Sequence, residues 1–210
     1  MIRHAHNNDL QTISLIHKRC FPESYSSQLM KFHFLGGNLQ VKFFEQYLND
    51  CPELFFVAEI NGNIVGYCMG YFMDNDKQMY NFVKENYWNL IFKSLLLLIS
   101  GNKPTWKKII SRFDKNSREK WMIVDPSNEH ISINERGDLL SICILPEYMG
   151  KGFSKELMDQ FLKSMKKQGK KLCLLSVLSN NKRAIAFYEK NGFVLYRTRG
   201  ETGRTYMKLL

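Results

Sequence analysis

The stretch LPEYMGKGFSKEL, residues 145–157, sets two glycines one residue apart between an apolar run and an amphipathic one. Upstream, DLLSICIL (138–145) is a nearly continuous apolar run of strand length, which predicts a strand buried on both faces. Downstream, Leu157, Met158, Phe161, Leu162 and Met165 recur along one helical side, and Gly169 stands where the helix should end. A strand that enters a helix through Gly150 and Gly152 leaves the first helical N–H groups without intrahelical partners and without Cβ atoms in front of them. The helix dipole adds to those donors, so an anion such as a pyrophosphate fits the turn. A plain tight turn would use the same glycines, and the stretch alone leaves both readings open. It lacks the third glycine of GxGxxG and the Lys-Ser/Thr pair of a P-loop.

Outward from this turn, KLCLLSVL (171–178) reads as a second buried strand and NKRAIAFYEKNG (181–192) as a short helix closed by Asn191-Gly192. FVLYRTRGETGRTYMKLL (193–210) reads as a final hairpin. Toward the N-terminus, MIRHA is a short strand, and NNDLQTISLIHKRC a helix with its cap residues in front. A loop over 21–37 leads to a second helix, in which Phe43, Phe44, Tyr47 and Leu48 share a side. Two β-rich runs, 54–60 and 64–72, flank NGN as a hairpin. Residues 74–137 break the pattern with an apolar-basic helical stretch, a second basic one and a polar loop, and read as an insertion. The order of elements predicts an α/β domain with a mixed sheet.

With 210 residues, 44% of them hydrophobic, the chain can bury one large core. Its five cysteines are scattered and form no CxxC pair, which fits a reducing cytoplasm. The opening MIRHAHNND is not apolar, so no signal peptide is expected. LIFKSLLLLIS (90–100) carries Lys93 and falls far short of the roughly 20 residues of a membrane span. The net charge of +10 is scattered except in Lys103–Lys120 and Lys163–Lys171, without the aromatic-basic interleaving of a nucleic-acid face, so a smaller polyanion is the expected partner. His4 and His6 alternate on a strand without a third ligand, and no metal is expected.

LLSICILPEYMGKGFSKELM followed by LLSVLSNNKRAIAFYEKNGF resembles the two signature motifs of the GNAT superfamily of acyl-CoA-dependent N-acyltransferases. The first, Gln/Arg-x-x-Gly-x-Gly/Ala, falls on Met149, Gly150, Lys151, Gly152, Phe153 and Ser154, with Met149 and Ser154 departing from it. The second, Asn-x-x-Ala-x-x-Phe-Tyr-x-x-x-Gly-Phe, is met from Asn181 through Ala184, Phe187, Tyr188 and Gly192 to Phe193. The resemblance implies one domain over 1–210: a mostly antiparallel mixed sheet flanked by helices, with 74–137 a helical insertion between the third and fourth strands. The loop FPESYSSQLMKFHFL is similar to a subgroup associated with bacterial surface-sugar biosynthesis.

The resemblance further implies acetyl-CoA as acyl donor and the primary amine of a small molecule as acceptor, for example a nucleotide-linked amino sugar. A non-catalytic acyl-CoA sensor and a protein N-acetyltransferase are the alternatives. By resemblance Cys143, Ile144 and Leu145 end a strand that splays from its neighbour, and the Ile144 N–H bonds the acetyl oxygen. The Met149–Ser154 turn takes the pyrophosphate, Asn181, Ala184 and Phe187 border the pantetheine, and Tyr188 protonates the leaving thiolate. Asp138 and Glu59 are the candidate bases for the ammonium proton. Tyr25 and His33, in the first loop, are the candidate acceptor contacts. Ser176 stands where acetyltransferases of ribosomal-protein N-termini carry a glutamate, which argues against protein α-amines. The apolar insertion is expected to cover the domain or pair two copies, with Lys103, Lys107, Lys108, Arg112 and Lys115 drawing an anionic acceptor.

Overall fold

The computed structural model describes residues 1–29, 37–74, 78–100, 121–199 and 203–210. Its strands are β1 (Ile2–His4), β2 (Phe55–Ile60), β3 (Asn63–Phe72), β4 (Trp121–Ile123), β5 (Arg136–Ile144), β6 (Leu172–Leu178), β7 (Val194–Arg199) and β8 (Gly203–Leu209). Its α-helices are α1 (Leu10–Cys20), α2 (Tyr25–Leu29), α3 (Leu39–Asp50), α4 (Gln78–Glu85), α5 (Tyr87–Ile99), α6 (Phe153–Lys167) and α7 (Lys182–Lys190). The strands form one sheet in the order β1-β2-β3-β5-β6-β8-β7-β4. Among the described strands only β5 and β6 pair in parallel, joined by the α6 crossover; the other pairs are antiparallel.

Local chemistry sets the element ends. Asn61 and Gly62 take positive φ and close the β2–β3 hairpin. The Asn38 side chain accepts from the N–H groups of Gln40 and Val41 and starts α3. Alternation along β2 and β3 then supplies two cores. Phe56, Ala58, Val65 and Cys68 face Leu157, Met158, Phe161 and Met165 of α6, whereas Phe55, Val57, Tyr67 and Met69 face α1 and α3. Each such large apolar side chain contributes about 1.5–3 kcal/mol by leaving water.

The expectation that β5 is buried on both faces is corrected. Leu140 is exposed, and Ser141, Ile142 and Cys143 are only half-buried. Against β3 the register shifts, with Met69 opposite Ser141 and Gly70 opposite Leu139, so Leu140 is an extra residue in β5. Such a bulge bends its strand. Gly70 makes room for it: a Cβ there would lie 2.2 Å from the Asp138 carbonyl oxygen and 2.5 Å from the Phe161 ring.

Residues 74–137, expected as a helical insertion, also contain a strand. Helices α4 and α5 pack through Phe82 and Leu97 on Leu39 and Phe43, and β4 adds to the far edge of the sheet beside β7. Lys93 is fully buried within this apolar packing, its Nζ donating to the Gly37 carbonyl at 2.5 Å. Among the described residues no helix is long and apolar enough to cross a membrane. The loop over 21–37 carries the short helix α2 at Tyr25–Leu29, which its sequence did not announce.

Candidate active site

The β5–β6 ladder runs from Arg136–Leu172 to Leu139–Leu175 and stops. Beyond the bulge at Leu140, the ends of both strands continue without pairing, β5 to Ile144 and β6 to Leu178, and Ser176 and Leu178 are exposed. A gap therefore opens in the middle of the sheet. Its β5 wall has a defined polarity: the Leu145 N–H donates to the Val65 carbonyl at 2.8 Å, which makes 145/65 and 143/67 bonded pairs and 144/66 a non-bonded pair. The N–H of Ile144 thus points away from β3 and toward the gap. Those of Cys143 and Leu145 are turned to β3, so of the three only Ile144 offers its amide there.

Tyr188, on α7, reaches the same region. The Cys68, Cys173 and Cys143 thiols, on β3, β6 and β5, all act on its phenol, and burial pushes that phenol well above the usual tyrosine range. It is therefore a neutral donor at pH 7, and its hydroxyl has no hydrogen-bond partner among the described residues. Phe187 packs beside it, ring centroids 5.6 Å apart. Asn181 caps α7, its Oδ1 accepting from the Ala184 N–H at 3.1 Å.

The turn after β5 has the geometry of an anion cradle. Gly150 and Gly152 take φ of 79° and 91°. A Cβ on Gly150 would meet nothing within 4 Å, and one on Gly152 only the tip of Glu156 at 3.8 Å, so the space before this backbone is open. The Lys155 and Glu156 N–H groups both bond the Gly152 carbonyl, and no side chain caps α6. The N–H groups of Phe153 and Ser154 are left for an outside acceptor. Met149 packs against the core, and the Lys151 ammonium sits 5.0 Å above the Tyr148 ring.

Asp138 lies on the opposite face from α6, pairing across to Tyr71 and Leu174. Burial pushes its carboxyl up to about 7, against the pull of the Arg197 guanidinium. Beside it runs a polar strip: Ser176 Oγ is 3.3 Å from Thr205 Oγ1, to which Arg197 Nε donates at 3.3 Å. An open gap with an inward amide and a neutral phenol, an uncapped helix start at its mouth, and a carboxyl near neutral pKa on one face suit acyl transfer from a phosphorylated thioester.

Residues 121–193 match the model of the acetyltransferase (GNAT) family. Over this segment, from β4 through α7, the chain is similar to the GNAT acetyltransferases. N-alpha-acetyltransferase 30 of Schizosaccharomyces pombe is 29% identical over 82 residues, covering 39% of this chain and 55% of that protein. The chain thus spans about half the length of this curated relative. The PaiA N-acetyltransferase of Thermoplasma acidophilum, solved in complex with coenzyme A, superposes with a TM-score of 0.58 at 18% identity, covering 100% of this chain and 98% of that one. Ribosomal-protein-alanine N-acetyltransferase from Brucella melitensis superposes at 0.57 with 13% identity, covering 100% and 99%. At these identities the structural likeness establishes the GNAT fold.

Other sequence-derived candidates stand elsewhere in the fold. Glu59 is on β2, two strands from β5, and its carboxylate accepts from Arg3 Nε at 2.7 Å in a cluster completed by Asp9. The structure does not bring it to Asp138 or Tyr188. Tyr25 opens α2, while His33 and the basic set Lys103, Lys107, Lys108, Arg112 and Lys115 lie outside the described residues. Sequence reading missed His17, Tyr67 and Ser141, which form a hydrogen-bonded line ending at the β5 bulge. They sit 124 residues apart in the chain, and no motif joins them.

Proposed function

We propose that the protein transfers an acetyl group from acetyl-CoA to the primary amine of a small molecule, by direct attack within a ternary complex. The carrying observation is the end of the β5–β6 ladder at Leu139–Leu175, which turns the Ile144 N–H into a gap that Tyr188 also reaches. In this reading the Phe153 and Ser154 N–H groups hold the pyrophosphate of the donor. The Ile144 N–H stabilises charge developing on the thioester oxygen, and Asn181, Ala184 and Phe187 border the pantetheine arm. The Tyr188 hydroxyl gives its proton to the leaving thiolate and takes one back from water once the products leave. Its raised pKa makes it a weak acid, so close placement rather than acidity must supply its effect.

Asp138 takes the first proton from the incoming ammonium. A carboxyl titrating near 7 is ionised in about half of the molecules at neutral pH, yet basic enough to hold a proton. Glu59, already neutralising Arg3, is the weaker candidate. Arg197, Thr205 and Ser176 border the approach on the same face, and Ser176 in place of an acid supports a small acceptor. The similarity to proteins named for N-terminal acetylation supports a second reading, with a peptide α-amine as acceptor.

Thiol release from acetyl-CoA, followed over a panel of amino sugars, sugar-nucleotide amines, small diamines and short peptides, tests both. Release that depends on a small amine is expected. Release with peptides alone would transfer the reading to protein substrates. Tight acetyl-CoA binding with no acceptor-dependent release would leave a binding module.

A further inference from the structure

An ammonium acceptor has two protons to lose, and Asp138 accounts for one. We propose that Ser141, Tyr67 and His17 form a relay that carries the second proton from the tetrahedral adduct to solvent at Ser24 and Ser26; this rests on the acetyltransferase reading. Ser141 Oγ lies 2.8 Å from the Tyr67 hydroxyl, which lies 2.6 Å from His17 Nδ1. His17 Nε2 in turn lies 3.3 Å from both Ser24 Oγ and Ser26 Oγ. The line starts at the half-buried residue that follows the β5 bulge, on the Asp138 face, and ends at half-buried serines before and within α2.

The direction of every bond follows from one end. The Ser24 hydroxyl spends its proton on Ser27 Oγ at 2.8 Å, so it accepts from His17. Nε2 is therefore the protonated nitrogen and Nδ1 the acceptor, because a neutral imidazole has one of each. Tyr67 must then donate to Nδ1 and accept from Ser141. That leaves the half-buried Ser141 oxygen able to accept one further hydrogen bond. The adduct's N–H breaks as Ser141 Oγ takes its proton; Ser141 passes its own to Tyr67, Tyr67 to Nδ1, and Nε2 releases one toward Ser24 and Ser26. No charge remains in the chain.

Neutrality is enforced by the surroundings. Burial holds the His17 ring at about 4, and the Phe21 and Phe44 rings flank it with centroids at 4.9 and 5.7 Å. Tyr67, fully buried, is pushed well above the tyrosine range. Neither group can store a charge at pH 7, so a proton entering at Ser141 must leave at Nε2 in the same event. Such a line conducts protons and does not act as a base.

The test is the solvent deuterium proton inventory on kcat, with the best acceptor amine, for wild type, Tyr67→Phe and Ser141→Ala. Thermal midpoint and coenzyme A affinity report whether each variant is folded. Several protons in flight should give the wild type a curved inventory. Each variant should straighten it and lower kcat about tenfold or more, with acceptor KM and coenzyme A affinity unchanged. Wild-type kcat and a curved inventory in either folded variant overturn the relay while leaving acetyl transfer intact. A wild type that releases no thiol with any amine overturns the transferase reading, and the relay with it.

Discussion

At the scale of single residues, the proposed active gap depends on groups whose protonation is set by burial. Tyr188→Phe should lower kcat by a factor on the order of 10² to 10⁴ with coenzyme A affinity unchanged, read by steady-state kinetics beside calorimetric titration. Full activity would assign the acid to solvent. For Asp138 the sign runs from an ordinary value near 3.8 in the unfolded chain up to about 7 in the fold. The folded state holds this proton more tightly, so stability falls as pH rises from about 4 to 7, and the whole penalty is present above 7. Asp138→Asn should therefore raise stability at pH 8 by about 2 kcal/mol, less than the full linkage because the carboxyl keeps some contact with water. At pH 4 it should change little. The same substitution should remove a kcat/KM limb centred near 7. Arg197→Gln, which deletes the field opposing burial, should move that limb to higher pH.

At the scale of elements, β5 and the turn after it form the proposed donor site together. The bulge at Leu140 separates β5 from β6, and the glycine turn starts α6 with its N–H groups uncapped. Gly152→Val asks a β-branched residue to adopt φ near 91° and fills the open space in front of the turn. Coenzyme A affinity should fall at least about tenfold by calorimetry, because both the donor geometry and the approach are lost. Unchanged affinity in a folded variant would move the pyrophosphate elsewhere. Asn181→Ala should cost about 1 kcal/mol of stability through the lost cap on α7, measurable by denaturant unfolding.

At the scale of the whole molecule, α4 and α5 leave an apolar stripe in water: Trp88 is 78% exposed and Ile99 75%, with Phe92 and Leu95 between them at helical spacing. Such a stripe favours association. Light scattering should show mass rising with concentration, and a Trp88→Ser, Phe92→Ser variant should lose that rise; a monomer at all concentrations would mean that the stripe stays solvated. What the sequence by itself determined is local in origin. Periodicity placed the helices and strands, Asn61-Gly62 the hairpin, Gly150 and Gly152 the helix start, and the Asn181–Phe193 motif the family resemblance, because each depends on neighbours within a few turns of chain. Burial of β5 was misjudged because a run such as LLSICIL reads alike whether its strand is paired on one edge or two, and the bulge that opens the gap exists only against β3. The near-neutral carboxyl of Asp138, the ion pair that occupies Glu59, and the line from His17 through Tyr67 to Ser141 were equally invisible. Each arises from groups far apart in sequence that share a low-dielectric interior, and desolvation and hydrogen bonding act only once the sheet and helices have closed around them.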